Sequence, residues 1–403
     1  MPKYNSIANN NNSVAYNNKI NNNVNQKDFP ITINNATVVA VPCSTTALPS
    51  VPVSSKPISP SSERQLKDQG FTTGLIESIG NNKNAFPIRI WVVDNSGSMS
   101  TPDGHRLART SNDVVRLLDC TRWAEIQDTV SYHARIATLL EAPTSFRLLN
   151  PACGKKEFSV AERPNHMQED LSFVLHNVRQ LSPMGVTPLS ERIVEIASYV
   201  TSIREILESK GQKAVVVLAT DGLPTNRYGE HNRTTMTEFK NALRQLEGLP
   251  IWLVIRLCTD EDETVDFYNN IDSHLEMSCD VLDDFFAEAA EVYEHNKWLN
   301  YALPLHRMRE MGFYHKLFDL IDERPLTKDE LRDFFLLIYG ANALDGIPDP
   351  QVEWDKFLER IAIVTKKEKL QFDPVRKQML PWVDVRRLDY YYGNHPVSCK
   401  CLP

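Results

Sequence analysis

Ile88-Arg89-Ile90-Trp91-Val92-Val93-Asp94-Asn95-Ser96-Gly97-Ser98-Met99 is the stretch on which the reading of the chain turns. Its first six residues are a short, nearly unbroken apolar run, the pattern of a strand covered on both faces. The run stops at an aspartate, and Gly97 then permits a tight turn. A strand of this kind needs similar neighbours. They are present as Ala214–Thr220, reading Ala-Val-Val-Val-Leu-Ala-Thr, and as Ile251–Leu257.

Between these runs the apolar spacing changes to that of helices. Helices are expected at Thr121–Glu141, Gln168–Leu181, Pro188–Lys210, Thr235–Leu246 and Asp283–His295, with another started by the acidic run Asp260 to Glu263. Further strands are expected at Ser145–Leu149 and Glu276–Leu282, and an edge strand at Glu157–Val160. Strands alternating with helices predict an α/β fold with a doubly wound, mostly parallel sheet. Right-handed crossovers then gather the C-terminal ends of the strands on one rim, where ligands bind in such folds.

Outward from this block, 87–296, the sequence changes character on both sides. Residues 1–62 are an Asn-rich tract followed by a Pro/Ser/Val stretch, and neither can bury enough apolar surface to offset chain entropy, so a disordered tail is expected. Residues 63–86 read as a helical lead-in with Ser62 as its N-cap. Residues 297–403 read as an α-helical region, with helices at Leu303–Ile321, Lys328–Ile338, Trp354–Lys369 and Val383–Tyr391 and a Thr327/Glu330 capping box. No buried strand is expected there. The region either packs on the sheet domain or forms a lobe of its own.

Composition narrows the function. The chain has 403 residues, 42% of them hydrophobic, and a net charge of -8. That is ample for a core, and the acidic balance without clustered Lys or Arg argues against nucleic acid as a partner. No basic segment followed by an apolar run opens the chain, so no signal peptide is expected, and no window reaches the ~18 apolar residues of a membrane span. Seven scattered cysteines suit reduced thiols and an intracellular, cytoplasmic setting. Lys400 stands where a prenylated cysteine would have to be, which leaves palmitoylation of Cys399 or Cys401 as the route to a membrane. A tail with two free thiols is the simpler reading. His/Cys pairs at zinc spacing, a nucleophile elbow and a phosphate-binding Gly-x-x-x-x-Gly-Lys loop are all missing.

The chemistry is concentrated on the expected rim. Asp94, Ser96 and Ser98 follow the first buried strand; Thr187 lies in Gly185-Val186-Thr187-Pro188-Leu189, just before a helix; Asp221 follows Thr220 at the tip of the second buried strand. Two carboxylates and three hydroxyls, with no thiolate or imidazole, are hard oxygen ligands. They suit Mg²⁺, and next Mn²⁺ or Ca²⁺. The plainer reading is that these side chains only cap turns and helices.

In these residues the chain resembles the von Willebrand factor type A family. The metal-ion-dependent adhesion site of that family is an Asp-x-Ser-x-Ser run, a distant Thr and a distant Asp, and here Asp94, Ser96, Ser98, Thr187 and Asp221 fill the positions in order. One departure is Val186, where many intracellular members have a second glycine. The resemblance spans about half the chain and implies a Rossmann-like fold. It also implies that Ser96, Ser98 and often Thr187 touch the metal, that Asp94 and Asp221 act largely through coordinated water, and that a partner's Glu or Asp carboxylate completes the shell. A non-enzymatic, metal-dependent protein–protein interaction module is therefore expected. Two alternatives stay open. One is a scaffold or adaptor with a structural metal; the other is a hydrolase, for which the rim offers Asp103, His105 and the run Asp260 to Glu263 as bases.

Overall fold

The computed structural model describes residues 57–109, 115–152, 154–259, 261–271, 275–277 and 279–393. Most of the expected disordered tail, Asp260 and the Cys399 and Cys401 pair lie outside them. Helix α1 (Pro60–Asp68) is capped by the Ser59 hydroxyl, which accepts the Ser62 N–H. Ser62 is thus inside the helix rather than its cap, because Pro60 already supplies the preset first-turn conformation. Gly70, at φ +97°, turns the chain into α2 (Thr73–Ala85), so the lead-in is two helices. Leu66, Leu75, Ile76 and Ile79 are all buried on them.

Strand β1 (Ile88–Val93) follows and leads into a single 3-10 turn at Gly97–Ser100. An antiparallel hairpin, β2 (Gly104–Arg109) and β3 (Val115–Cys120), comes next and had no counterpart in the sequence reading. Helix α3 (Arg122–Leu139) is capped by Thr121. Strands β4 (Thr144–Ala152) and β5 (Lys155–Val160) precede α4 (Met167–Gln180) and α5 (Leu189–Ser209). Then β6 (Ala214–Thr220), α6 (Arg233–Arg244), β7 (Ile251–Leu257), α7 (Asp262–Asn269), β8 (Cys279–Leu282) and α8 (Phe285–His295) alternate as expected. The six-stranded sheet has the order β5-β4-β1-β6-β7-β8. It is parallel throughout except for the edge strand β5.

Side-chain alternation builds a layer on each face. Ile90, Val92, Val216, Leu218, Leu253 and Ile255 pack against α5 and α6 through Ile193, Ile196, Val200, Phe239 and Leu243. Trp91, Val93, Val215, Val217 and Val254 pack against α3 and α4 through Ile126, Val130, Val174 and Val178. Helices on both faces explain why the central strands read as continuous apolar runs. Among the described residues no helix is long and apolar enough to cross a membrane.

The region after Lys297 holds α9 (Leu303–Glu310), α10 (Lys316–Glu323), α11 (Lys328–Tyr339), α12 (Trp354–Thr365) and α13 (Val385–Tyr392). The expected helix Leu303–Ile321 is two helices, since Gly312 takes φ +78° against Val215 of β6. A small antiparallel pair, β9 (Gln371–Asp373) and β10 (Gln378–Leu380), corrects the expectation of helices alone; β9 is fully buried. The Thr327/Glu330 capping box is present.

This region packs on the sheet domain. One apolar cluster contains Leu75 and Ile79 of α2, Ile136 and Leu140 beside α3, Phe285 and Val292 of α8, and Phe334, Phe335 and Phe357 of the later helices. An ionic knot adds to it. Glu310 of α9 is wholly buried and accepts from His133 of α3 at 2.8 Å and from Arg307 at 2.7 Å, with Arg256 of β7 at 3.5 Å. Arg256 also bonds Glu125 of α3. The Arg89 guanidinium of β1 is buried too and donates to the carbonyls of Phe86 (3.0 Å) and Met311 (3.3 Å) and to Asn82 Oδ1 (2.6 Å).

Candidate metal centre

Three loops at the C-terminal ends of β1 and β6 and ahead of α5 form one rim. Asp94 prolongs β1 by donating its N–H to the Ala219 carbonyl of β6 at 2.9 Å, which sets its side chain beside the β6 tip. Its Oδ1 accepts the Ser96 N–H at 2.8 Å, and its Oδ2 accepts the Thr220 hydroxyl at 2.7 Å. The hydroxyls of Ser96 and Ser98 are 3.0 Å apart, and Ser98 donates to Asp221 Oδ1 at 2.9 Å. Asp94, Ser96, Ser98 and Asp221, separated by up to 127 positions, are therefore one bonded group.

Thr187 arrives through its backbone. The Gly97 N–H donates to the Gly185 carbonyl at 3.2 Å, and the Met184 N–H to the Asn95 carbonyl at 2.7 Å, so the two loops lie against each other. Asn95 and Asn150 brace them. Asn95 Nδ2 donates to the Asn150 carbonyl at 2.9 Å, and Asn150 Nδ2 donates to the Val186 carbonyl at 2.7 Å. Gly185 has φ +92°, and any Cβ there would collide with the Asn150 amide oxygen. Thr187 exchanges backbone bonds with Thr225, donating its N–H to Thr225 Oγ1 and accepting the Thr225 N–H, each at 2.9 Å. Val186, where the family resemblance expects a second glycine, keeps its backbone bonded to Asn150 on both sides.

The capping explanation does not account for the hydroxyls. The N-cap of α5 is Pro188, and neither it nor Ser96 at the start of the 3-10 turn makes a side-chain cap. At Thr187 it is the N–H and the carbonyl, not the hydroxyl, that make the bonds to Thr225.

The electrostatics are strained. Asp94 is fully buried, and burial, with the nearby Asp221 charge second, pushes its carboxyl up to about 6. Burial raises Asp221 as well, against hydrogen bonds from Ser98 and Arg122 that hold it down. Two carboxylates whose charged forms burial disfavours are a place where a cation lowers the free energy. The donor set fits a hard divalent ion: hydroxyl oxygens of Ser96, Ser98 and Thr187, with two carboxylates to balance charge. Among the described residues no three His, Cys, Asp or Glu side chains form a metal cluster, so the hydroxyls are indispensable to such a site.

Arg122 is the residue that sequence reasoning missed. It is 2% exposed and donates to Asp221 Oδ2 at 3.1 Å, to Asp103 at 2.6 Å and to Glu261 at 2.9 Å. Burial works against its charge, but the bonds to Asp103, Glu261 and Asp221 hold its pKa above the usual value. A cation in the first turn of a helix is disfavoured by the helix dipole, and that misplacement was the available signal. Glu261 brings the acidic run to the rim, while Asp262 and Glu263 lie in the first turn of α7. His105 takes no part: its N–H goes to Glu125 and its ring lies edge-on to Phe286.

No family model matches the chain, and no curated protein matches it. A solved structure of a mutant PilB minor pilin from Streptococcus sanguinis is similar at 13% identity and a TM-score of 0.32, over 49% of this chain and 57% of that one. So low a score carries no argument.

Proposed function

We propose that this chain is an interaction module of the von Willebrand factor type A kind, holding one divalent cation, Mg²⁺ first and Mn²⁺ or Ca²⁺ next, at Asp94, Ser96, Ser98, Thr187 and Asp221. The cation is offered to a Glu or Asp carboxylate of a partner protein, without turnover. One observation carries the reading: Asp94 and Asp221 are buried side by side, with the Ser96–Ser98 hydroxyl pair bonded to Asp221. A carboxylate pair that adverse needs a counter-charge, and oxygen neighbours select a hard one. When bound, the cation supplies a Lewis-acid centre with positive character left over for an anionic oxygen. This chain's residues fix its place and exclude soft ligands.

A second reading rests on Arg122. Its guanidinium already touches Asp221 and can stand as the counter-charge of a metal-free scaffold. Against this, Arg122 divides one charge among Asp221, Asp103 and Glu261 and makes no bond to Asp94. The surplus negative charge supports the cation.

Mn²⁺ titration calorimetry on wild type and on Ser96→Ala/Ser98→Ala separates the two. The proposal expects one site in wild type and none in the variant. Capture of partner proteins should then require Mg²⁺, fail in EDTA and weaken with Thr187→Ala. No uptake of Mn²⁺ or Mg²⁺ by wild type would leave the Arg122 scaffold.

A further inference from the structure

A cavity of about 640 Å³ lies between the β2–β3 hairpin, α3 and the α8–α9 corner. That is within the usual ~300–1,000 Å³ of small-molecule sites. Five arginines line it against three carboxylates, in a chain whose net charge is -8. All three carboxylates are already engaged. Glu125 bonds Arg256 and the His105 N–H, Asp128 takes Arg106 at 3.2 Å, and Asp284 caps α8 through the N–H groups of Phe286 and Ala287.

Two arginines are left over. Arg135 of α3 and Arg179 of α4 have no ion pair among the described residues, and both are exposed at the cavity. The wall as a whole is short of acceptors. Arg106 Nε and Arg307 Nε are buried with no hydrogen-bond partner among the described residues, as are the Nδ1 atoms of His105 and His306. The other part of the lining is flat and apolar. The Arg307 guanidinium lies 4.8 Å over the Tyr132 ring, and Leu107, Phe286 and Leu303 complete that side.

We propose that this cavity binds a small organic anion of nucleotide size. Arg135 and Arg179 take its phosphate or carboxylate group, and the Tyr132, Phe286 and Leu303 side takes a planar or apolar body. A guanidinium fork matches both kinds of oxyanion, and paired arginines bind either far better than one exposed lysine would. The site shares none of the five candidate cation ligands.

The test is calorimetric titration of the full chain, stripped of metal on a chelating resin and kept free of soluble chelator, at about 0.1 M salt, with ADP, phthalate and inorganic phosphate as probes. Removing the metal keeps the result independent of the cation site without adding a competing polycarboxylate. ADP or phthalate should bind with a Kd below about 1 mM, and the better of the two identifies a phosphorylated or carboxylated ligand. Inorganic phosphate, which lacks a body, should bind at least about tenfold more weakly. Arg135→Ala/Arg179→Ala should weaken binding at least about tenfold without changing the melting curve, since both side chains are exposed. Arg204→Ala, on the exposed face of α5, should leave it unchanged. The proposal is overturned if neither ADP nor phthalate binds below about 1 mM, if inorganic phosphate binds as well as either, or if the double variant retains wild-type affinity.

Discussion

In chelator, Asp94→Asn should be more stable than wild type, and in saturating Mg²⁺ the order should reverse. The carboxyl of Asp94 is moved from an ordinary 3.8 to about 6, chiefly by burial and next by Asp221. Such a displacement corresponds to about 3 kcal/mol held against the charged form near neutral pH. Asparagine removes the charge and keeps the shape. Its amide oxygen still accepts the Ser96 N–H, and the Thr220 hydroxyl can rotate to accept from the amide nitrogen. Allowing for imperfect bonds, a net gain of about 1–3 kcal/mol is expected in EDTA. A cation at a thousandfold excess over its Kd adds about 4.1 kcal/mol to wild type, more than the variant's lead, and should add next to nothing to the variant. Urea unfolding of both proteins, each with EDTA and with Mg²⁺, gives the four free energies. An Asp94→Asn protein weaker than wild type by the same margin in both conditions would refute the reasoning, because the charge would then be neither strained nor coupled to a cation.

Gly185→Ala should destabilise by about 1–3 kcal/mol and abolish Mn²⁺ binding, because φ +92° and the Asn150 side chain both exclude a Cβ; calorimetry checks the second effect. Glu310→Gln should cost about 1–3 kcal/mol in urea unfolding, since it removes the carboxylate that Arg307 and the buried His133 share, while Arg256 keeps Glu125. A pH effect should come from His306. Burial pulls its pKa down to about 4, so the unfolded chain takes up a proton below about 6.5 that the folded one refuses. Its stabilising contribution is therefore full above pH 6.5 and is lost as pH falls through 4. Between pH 7 and 5 the wild type should lose about 2 kcal/mol more than His306→Asn, read as the difference between their unfolding free energies.

The parts of the fold legible in the sequence are those where burial is complete. Strands β6 and β7 begin and end where the apolar runs do, because every residue in them is covered on both faces. The β2–β3 hairpin escaped notice because few of its side chains are fully buried, and a weak alternation such as that of Val115–Cys120 resembles a loop. The α9–α10 break was hidden for the opposite reason. Leu305, Met308, Leu317 and Ile321 keep a helical rhythm across Gly312, and only the approach of Val215 demands the turn. In the candidate site, the five oxygen-bearing residues could be read from their places at strand ends. Arg122, Asn95 and Asn150 could not, since each acts through a partner at least 55 positions away.

The way α9 to α13 close over the sheet domain restricts where the gene can be cut. A recombinant piece ending near residue 296 would uncover Ile136, Leu140, Phe285 and Val292 together. It would also strip His133 and Arg256 of Glu310. Such a piece should come out of cells as aggregate, and a failed binding screen with it would say nothing about the rim. Bait for partner screening therefore needs to run through residue 393, even though all five candidate ligands lie before residue 222.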